Sequence, residues 1–288
     1  MPTSAETTVQ CVSSASRSTL IRHSTKALPG WRPERNAGVG VAMTVRGRAR
    51  EWIRARDLDL LFGNYPYFIP KKLLREKLRG AAPEARGVLI DVGCGHKPYR
   101  FLFGNVDKYI GLDSDGRRGP EVVGTADALP FGEGVADVVL CTEVLEHCRN
   151  PSATMREIAR ILRPEGVLIL TTPMSWNLHY EPHDYFRFTR YGLQVILAEA
   201  GMRLVRVERI GGVFAMTGAR LTEVVCKSLA RALKILPAPI RLATVRTLYV
   251  LMTACFFAAA RLFDWVDQTD AIGWFLIGRK MAGAEAVA

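Results

Sequence analysis

The sequence predicts an α/β fold in which helices cover both faces of a largely parallel sheet. From Gly87 onward, short apolar runs alternate with segments of helical periodicity, which is typical of βαβ units. The apolar runs are mostly continuous rather than alternating, as expected for strands that are covered on both faces. A turn with two glycines follows the first run directly and leads into a helical segment.

Seven apolar runs are expected to be strands. They are short, rich in Val, Ile and Leu, and separated by turn residues or by helical segments. The predicted strands span residues 88–92, 109–112, 121–124, 135–141, 167–171, 204–210 and 274–277.

Two helices have clear start and stop signals. Asn150 is suited to cap a helix that begins with Pro151, and Pro164 with Gly166 should end it. A later helix is predicted over residues 189–200, where Gly201 supplies the stop signal.

The chain is expected to form one domain with additions. Residues 1–45 lack periodicity and are predicted to be a disordered or mis-started N-terminus, with Met43 as an alternative start and a transit peptide as a further option. Residues 46–84 are predicted to form a helical cap, and residues 85–281 the main domain. Residues 211–272 form a basic, apolar helical insertion within that domain.

The net charge of +11 is concentrated in two segments. Residues 1–50 hold eight Lys or Arg against two Glu, and residues 227–263 hold six Lys or Arg and no acid. The rest of the chain is therefore close to neutral, which argues against a nucleic-acid partner for the central domain.

The six cysteines include no Cys-x-x-Cys pair and no spacing that suits zinc. Together with the lack of an apolar signal-peptide core near the N-terminus, this favours reduced thiols in a cytoplasmic protein.

The strongest local motif is the run Val-Leu-Ile-Asp-Val-Gly-Cys-Gly-His-Lys-Pro over residues 88–98. Asp91 ends a buried strand, and Gly93 and Gly95 on either side of Cys94 allow a ligand to approach the backbone closely. A dinucleotide loop would have a third glycine where Pro98 stands, so NAD is disfavoured.

Acidic residues follow the next three strands at the edge where open α/β sheets bind ligands. Asp113, 18 residues after Gly95 and followed by Ser114, is placed to accept hydrogen bonds from both ribose hydroxyls of an adenosine. In the segment Asp127-Ala128-Leu129, the acid can pair with an adenine amine while Leu129 packs against the ring. Glu143 follows the fourth strand.

Five motifs in order resemble class I S-adenosylmethionine-dependent methyltransferases, in particular the type 11 methyltransferase domain. They are Asp-Val-Gly-Cys-Gly at 91–95, Gly-Leu-Asp at 111–113, Ala-Asp-Ala-Leu-Pro at 126–130, Glu-Val-Leu-Glu-His at 143–147 and Leu-Arg-Pro-Glu-Gly at 162–166. The resemblance implies a Rossmann-like seven-stranded sheet whose last strand is antiparallel, with S-adenosylmethionine as the cofactor.

The same resemblance implies a role for each motif. The turn from Gly93 to Gly95 would face the methionine part of the cofactor, Asp113 the ribose, and Asp127 with Ala128 and Leu129 the adenine. Glu143 would lie near the sulfonium, where its charge favours a cationic cofactor.

The loop at 172–189 is dense in aromatic, His and acidic residues and is expected to contact the acceptor. His147 and His179 are the first candidates for the base that removes a proton from the acceptor, and His183 and Asp184 come next; all four could serve loop packing instead. Pro182 lies between His179 and His183, so a helical metal pair is not expected and no metal is predicted.

The loop spacing resembles type 11 enzymes that modify cell-surface glycans or lipid-linked sugars. We therefore expect a small or glycan- or lipid-linked acceptor, methylated at oxygen. The alternative is a non-catalytic, methyltransferase-like binding subunit that acts through the helical insertion.

The insertion has three interpretations. Its uncharged run over residues 247–260 is shorter than the roughly 20 residues of a simple membrane span. A basic amphipathic helix at a membrane surface, a homodimer interface and a lid packed on the core all remain open.

Overall fold

The computed structural model describes residues 67–282. Within this range the strands form one seven-stranded sheet in the order β3-β2-β1-β4-β5-β7-β6. The strands are β1 (Val88–Val92), β2 (Lys108–Asp113), β3 (Val122–Val123), β4 (Ala136–Thr142), β5 (Leu162–Pro173), β6 (Met202–Ile210) and β7 (Gly273–Lys280).

The sheet changes direction at its last strand. The pairs among β1, β2, β3, β4 and β5 are parallel, whereas β7 runs antiparallel to both β5 and β6, between which it lies. The predicted seven-stranded α/β sheet with an antiparallel last strand is thereby confirmed.

Five α-helices accompany the sheet within residues 67–282. They are α1 (Phe68–Ala81), α2 (Pro151–Ile161), α3 (Arg190–Glu199), α4 (Val213–Ala232) and α5 (Ala238–Phe263).

Apolar residues fill both faces of the sheet. One cluster joins Ile90 and Val139 of the sheet to Met155 and Ile158 of α2 and to Leu193 of α3. The opposite cluster packs Leu74 and Leu78 of α1 against other strand residues, including Leu140 and Phe275. Because both faces are covered, the strands are continuously apolar, as the sequence pattern indicated.

Side-chain caps fix the start of the two short helices. The Oδ1 of Asn150 accepts a hydrogen bond from the amide of Ala153 at 3.0 Å, and the Oγ1 of Thr189 accepts one from Gly192 at 3.1 Å. Gly201, with φ of +69°, follows the second of these helices. These caps agree with the signals in the sequence.

The insertion at 211–272 consists mainly of two packed helices. At the contact between α4 and α5, a Cβ placed on Gly218 would lie 2.4 Å from the Cβ of Phe256, so only glycine allows this approach. The carboxylate of Asp264, just beyond α5, accepts hydrogen bonds from the amides of Gly212 and Phe214, both at 2.8 Å. Asp264 thus caps α4 from 50 residues away.

Some predicted bounds differ from the structure. Strand β5 begins at Leu162 rather than at 167, because the chain pairs with Ala136 and crosses a register shift before the main ladder. The predicted cap at 46–84 falls within the described residues only from 67, where α1 lies, and the predicted N-terminal region at 1–45 lies outside them.

Candidate functional site

The glycine turn follows β1 and is held against β2. The amides of Gly93 and Cys94 both donate to the carbonyl of Leu112, at 2.8 and 2.9 Å. Gly93 has φ of +71°, and a Cβ there would lie 2.3 Å from the side chain of Val144. Gly95 has φ of +51°. Both backbone conformations favour glycine, and at Gly93 packing also requires it.

Asp91 lies beneath this turn and does not line a cavity. Its side chain is buried, and its Oδ2 accepts a hydrogen bond from the hydroxyl of Tyr109. Burial raises the pKa of Asp91 to about 7, although the hydrogen bond from Tyr109 opposes the shift. Cys94 is also buried, and burial raises the pKa of its thiol to about 12. Cys94 is therefore a packing residue.

Asp113 at the end of β2 orients the turn. Its Oδ2 accepts a hydrogen bond from the amide of Gly95 at 2.8 Å, and its Oδ1 accepts one from Asp115 at 2.9 Å. Each carboxylate oxygen keeps a lone pair, so Asp113 can accept further hydrogen bonds from hydroxyls. Ser114, beside it, is exposed.

A cavity of about 480 Å³ opens at the carboxyl ends of β1, β2 and β4. The predicted cofactor residues on its wall are Gly93, Asp113, Ser114, Asp127 and Glu143. Asp91, Cys94, Gly95, Ala128 and Leu129 are not on that wall.

Leu129 is the clearest departure from its predicted role. It belongs to the core cluster under α2, and its amide donates to Glu157 Oε2 at 2.8 Å. The neighbouring residues Thr125 and Ala126 line the cavity instead. The segment turns back on itself through a bridge between Thr125 and Ala128, which a linear motif does not indicate.

Two side chains that the sequence analysis did not select meet at the mouth of this cavity. Arg118 donates a hydrogen bond from Nη2 to the hydroxyl of Tyr180 at 2.5 Å, and its guanidinium lies 5.5 Å from the centre of that ring. Arg118 Nη1 is also 3.9 Å from Asp113 Oδ2. The residues are 62 positions apart, so only the fold brings them together.

Glu143 lies where β4 ends, in an unusual backbone conformation. Its φ is +53°, and its amide donates to the carbonyl of Thr171 at 3.0 Å. Non-glycine residues with positive φ are uncommon and occur often at functional sites. Burial raises the pKa of Glu143, which means that a nearby cation would favour its charged form.

A second cavity of about 320 Å³ adjoins the first. Its wall is mainly apolar and includes Tyr67, Leu74, Trp176, Ile210 and Ile272. Glu143 and His179 line both cavities. A group bound in the second cavity would therefore meet these two side chains together with whatever occupies the first.

His147 and His179 lie in edge-to-face contact, with ring centres 4.8 Å apart. His147 Nδ1 is 2.6 Å from the carbonyl oxygen of His183, and His179 Nδ1 is 3.0 Å from that of Asn177. Since a carbonyl can only accept, each Nδ1 must carry the proton, and each Nε2 keeps its lone pair. Burial lowers the pKa of His147, which favours the neutral ring.

Glu146 completes this group. The Oε1 of Glu146 is 3.6 Å from His147 Nε2 and has no hydrogen-bond partner within the described part of the chain. Its side chain is fully buried, and burial raises its pKa. The sequence analysis named Glu146 only as part of a motif and gave it no role.

Asp184, a candidate base, is held in an ion pair. Its two oxygens accept hydrogen bonds from Arg187, both at 2.7 Å, and Oδ2 also accepts one from the amide of His179 at 2.9 Å. The guanidinium of Arg187 lowers the pKa of Asp184, so the carboxylate stays ionised and paired. This geometry favours a positioning role over proton transfer.

His183 is exposed and its Nδ1 is 2.9 Å from the hydroxyl of Tyr185. It lines the first cavity, but not the second. Its carbonyl, rather than its ring, contacts His147. Of the four candidate bases, His147 and His179 are therefore the two whose rings meet, while Asp184 lies 3.3 Å from His179 Nδ1 and is held by Arg187.

Comparison with known proteins identifies the central segment. Residues 90–170 match the family model described as methyltransferase domain. A stretch of 105 residues is 32% identical to an uncharacterized methyltransferase of Mycobacterium leprae and covers 32% of this chain and 39% of that protein. A stretch of 54 residues is 43% identical to the demethylmenaquinone methyltransferase of Mycobacterium tuberculosis. It covers 19% of this chain and 23% of that protein. The chain thus spans well under two thirds of these relatives.

Solved methyltransferase structures superpose on this chain at low sequence identity. A methyltransferase of Archaeoglobus fulgidus superposes with a TM-score of 0.47 at 15% identity and covers 73% of this chain and 94% of its own. The 1,6-didemethyltoxoflavin-N1-methyltransferase of Burkholderia thailandensis superposes with a TM-score of 0.46 at 15% identity. The superposition covers 85% of this chain and 95% of that one.

Proposed function

We propose, from the premise that residues 90–170 belong to the methyltransferase domain family, that this chain is an S-adenosylmethionine-dependent methyltransferase. The cofactor would bind in the 480 Å³ cavity and the acceptor in the apolar cavity beside it. The observation that carries this proposal is the shared wall: Glu143 and His179 line both cavities, so that donor and acceptor would meet there.

The residues of the first cavity suit the cofactor's parts. Asp113 keeps lone pairs for the two ribose hydroxyls, and the exposed carboxylate of Asp127 can accept from the adenine amine. The carboxylate of Glu143 on the cavity wall favours a cationic group nearby. When bound, S-adenosylmethionine supplies an electrophilic methyl group on a sulfonium.

The histidine pair supports proton removal from an acceptor hydroxyl. His147 and His179 each retain an Nε2 lone pair because Nδ1 donates to a backbone carbonyl. Arg187 and Asp184 fix the loop that places His179, since the carboxylate of Asp184 also accepts from its amide. A base held in this way loses little orientational freedom during the reaction.

The acceptor is proposed to have an apolar portion, as in a lipid-linked sugar or another lipid-borne hydroxyl compound. Apolar side chains dominate the second cavity. Trp176 on its wall contacts the insertion, because the guanidinium of Arg220 in α4 lies 4.9 Å from the centre of the Trp176 ring. The relative from Mycobacterium tuberculosis is a demethylmenaquinone methyltransferase, which is consistent with a lipid-borne acceptor. Methylation at oxygen is part of the proposal, and it is supported by two histidines that can accept a hydroxyl proton.

We further propose that the insertion contacts the cytoplasmic surface of a membrane. Among the described residues, α5 is the one helix that by length and composition could span a bilayer, and it is mostly exposed. Its uncharged run between Arg246 and Arg261 is shorter than a simple span, which favours a position at the membrane surface. Ile240, Leu251 and Leu262 on its outer face are exposed, and so is Trp265 beyond its end. Residues 227–263 hold six basic residues and no acid, which suits anionic lipid.

The test separates the cofactor site from the acceptor site with two variants. Calorimetry with S-adenosylmethionine on Asp113→Ala should show affinity reduced about thirtyfold, since losing charge-assisted hydrogen bonds costs about 2 kcal/mol. His179→Ala should leave that affinity nearly unchanged. In an assay with lipid-linked acceptors and a labelled methyl donor, the turnover of His179→Ala should be about a hundredfold or more below that of the wild type.

The outcomes discriminate between the two functions that the sequence left open. No binding of S-adenosylmethionine by the wild-type chain would exclude the enzyme. Binding without transfer to any acceptor would favour a methyltransferase-like binding subunit. Equal losses of affinity and turnover in His179→Ala would exclude His179 as the base.

A further inference from the structure

Glu146, His147 and His179 bring one carboxylate oxygen and two imidazole nitrogens within 4.8 Å of one another. We refer to these three residues as the Glu-His-His cluster. It lies on the wall of the cofactor cavity through His147 and His179, and His179 extends it to the acceptor cavity. Two neutral imidazoles and a carboxylate are a common ligand set for divalent transition metals.

The hydrogen bonds around the cluster engage Nδ1 of both histidines and leave Nε2 as the free nitrogen of each ring. His147 donates from Nδ1 to the carbonyl of His183, so its Nε2 presents a lone pair. That Nε2 lies 3.6 Å from Glu146 Oε1, an oxygen that is fully buried and has no hydrogen-bond partner among the described residues. A buried oxygen without a partner is unfavourable, unless a ligand is bound between this oxygen and the nitrogen of His147.

The separation suits a metal ion better than a proton. A hydrogen bond between nitrogen and oxygen needs a distance of about 2.7–3.2 Å. The 3.6 Å between Glu146 Oε1 and His147 Nε2 is too long for one. Two ligands at about 2.1 Å from a tetrahedral ion lie about 3.4 Å apart. The gap between Glu146 and His147 therefore matches the edge of such a coordination shell.

The outer contacts also resemble those of metal sites. Metal-binding histidines commonly donate their other nitrogen to a carbonyl or carboxylate, which fixes the ring. His179 Nδ1 lies 3.0 Å from the carbonyl of Asn177 and 3.3 Å from Asp184 Oδ2, and His147 Nδ1 contacts the carbonyl of His183. Both rings are thus oriented before any ion binds.

We propose that the Glu-His-His cluster binds one divalent transition-metal ion of the zinc class, and that this ion holds and acidifies the acceptor hydroxyl. This inference rests on the proposed methyl transfer. The bound ion would occupy the Nε2 lone pairs of His147 and His179, so it takes the place of the histidine base and the hydroxyl proton passes to solvent. The acceptor oxygen then forms a bond to the methyl carbon, and the carbon–sulfur bond breaks with its electron pair left on sulfur. A nearby cation lowers the pKa of the hydroxyl and so favours the first of these changes.

No metal was predicted from the sequence, because Pro182 lies between His179 and His183 and prevents a helical pair. The cluster uses a different pair. His147 follows β4 and His179 lies in the loop after β5, and these parallel strands are neighbours in the sheet. The helical spacing rule therefore did not apply to this pair.

The experiment uses the full chain after treatment with chelator and dialysis. Co²⁺ is titrated and followed by its visible absorption, and Zn²⁺ is titrated by calorimetry. We expect one ion per chain. Glu146→Gln, which keeps the side-chain shape, and His179→Ala should each weaken binding by about tenfold or more, since even losing an outer partner of a ligand costs about that much. His96→Ala, an exposed histidine outside the cluster, is the matched control and should bind as the wild type does.

Three outcomes would overturn the proposal. The wild-type chain could take up no Co²⁺ or Zn²⁺, the cluster variants could bind like the wild type, or turnover could be unchanged by chelator and by added Zn²⁺. S-adenosylmethionine calorimetry on the metal-free chain is run in parallel, so that loss of cofactor binding, which concerns the proposed function, is seen separately. Circular dichroism checks folding; if His179→Ala unfolds, the isosteric Glu146→Gln decides.

Discussion

Asp91 has almost no access to water, so its protonation is coupled to folding. Its pKa is raised to about 7 by burial, while in the unfolded chain a carboxyl of this type titrates near 4. An acid with a raised folded-state pKa binds its proton more tightly in the folded state. Its favourable contribution to stability is complete below about pH 4 and is lost as the pH rises to about 7.

Replacing Asp91 with Asn removes this titration while keeping an acceptor for the hydroxyl of Tyr109. We expect the Asp91→Asn variant to gain stability relative to the wild type as the pH rises, by up to about 4 kcal/mol between pH 4 and 7. Denaturant unfolding of both proteins at a series of pH values measures the difference. Parallel stability curves would show that Asp91 titrates normally in the folded chain.

At individual residues, Gly93, Asp113, Asp127 and Glu143 lie on the wall of one cavity, whereas Asp91 and Gly95 do not, and the groups that meet these residues were not indicated by the sequence. Asp113 and Gly93 lie where the motif places them, because each follows the end of a strand whose position was clear. Arg118 and Tyr180 contact each other across 62 residues, and no local pattern could indicate this. Leu129 was misjudged because its apolar side chain serves the core rather than a ligand.

Among the elements, the start of α4 depends on a residue that lies after α5. Asp264 accepts from the amides of Gly212 and Phe214, and its charge lies at the positive end of the helix dipole. Its backbone carbonyl also accepts from Arg209 Nη2 of β6 at 3.0 Å. One short segment thereby joins the insertion's two helices to the sheet.

Removing this cap should loosen the insertion before it affects the sheet. Asp264→Ala is expected to cost about 1–2 kcal/mol, the usual loss for a helix cap. Hydrogen exchange should become faster at the first turn of α4 and remain slow in β4 and β5. Asp264→Asn keeps an acceptor and should have a smaller effect. Uniformly faster exchange throughout the sheet would instead mean that the cap supports the whole domain.

The strands and helices were predictable where their signals are local. Asn150 and Thr189 cap α2 and α3 as their spacing indicated, because a cap contacts amides only a few residues away. The early start of β5 was not predictable from local signals, since Pro164 and Gly166 are typical of a loop. Pairing of Leu162 with Ala136 makes that stretch part of the strand, and such pairing depends on the neighbouring strand.

For the whole molecule, the insertion's charge and apolar surface allow a direct test of membrane contact. Arg246 is an exposed basic residue of α5, and Arg156 is an exposed basic residue of α2 on another part of the domain. Reversing one charge near an anionic surface costs about 2 kcal/mol, or about thirtyfold in affinity. We expect Arg246→Glu to lose this much binding in sedimentation with anionic vesicles, and Arg156→Glu to lose little.

The same experiment addresses the other interpretations of the insertion. If the wild-type chain stays in the supernatant, the membrane proposal is wrong. Sedimentation equilibrium would then show whether the exposed apolar face of α5 joins two copies of the chain. A monomer that binds no vesicles would leave a lid over the acceptor cavity as the role of the insertion.

The position of β7 has a consequence for how the protein is made. Within residues 67–282, β6 pairs with β7 and with no other strand, and β7 follows the insertion in the chain. During synthesis, β6 therefore waits for roughly sixty further residues before it gains a neighbour. A chain that ends before residue 273 lacks β7, and β6 then has no strand to pair with. Truncation within the insertion would therefore remove both strands from the sheet.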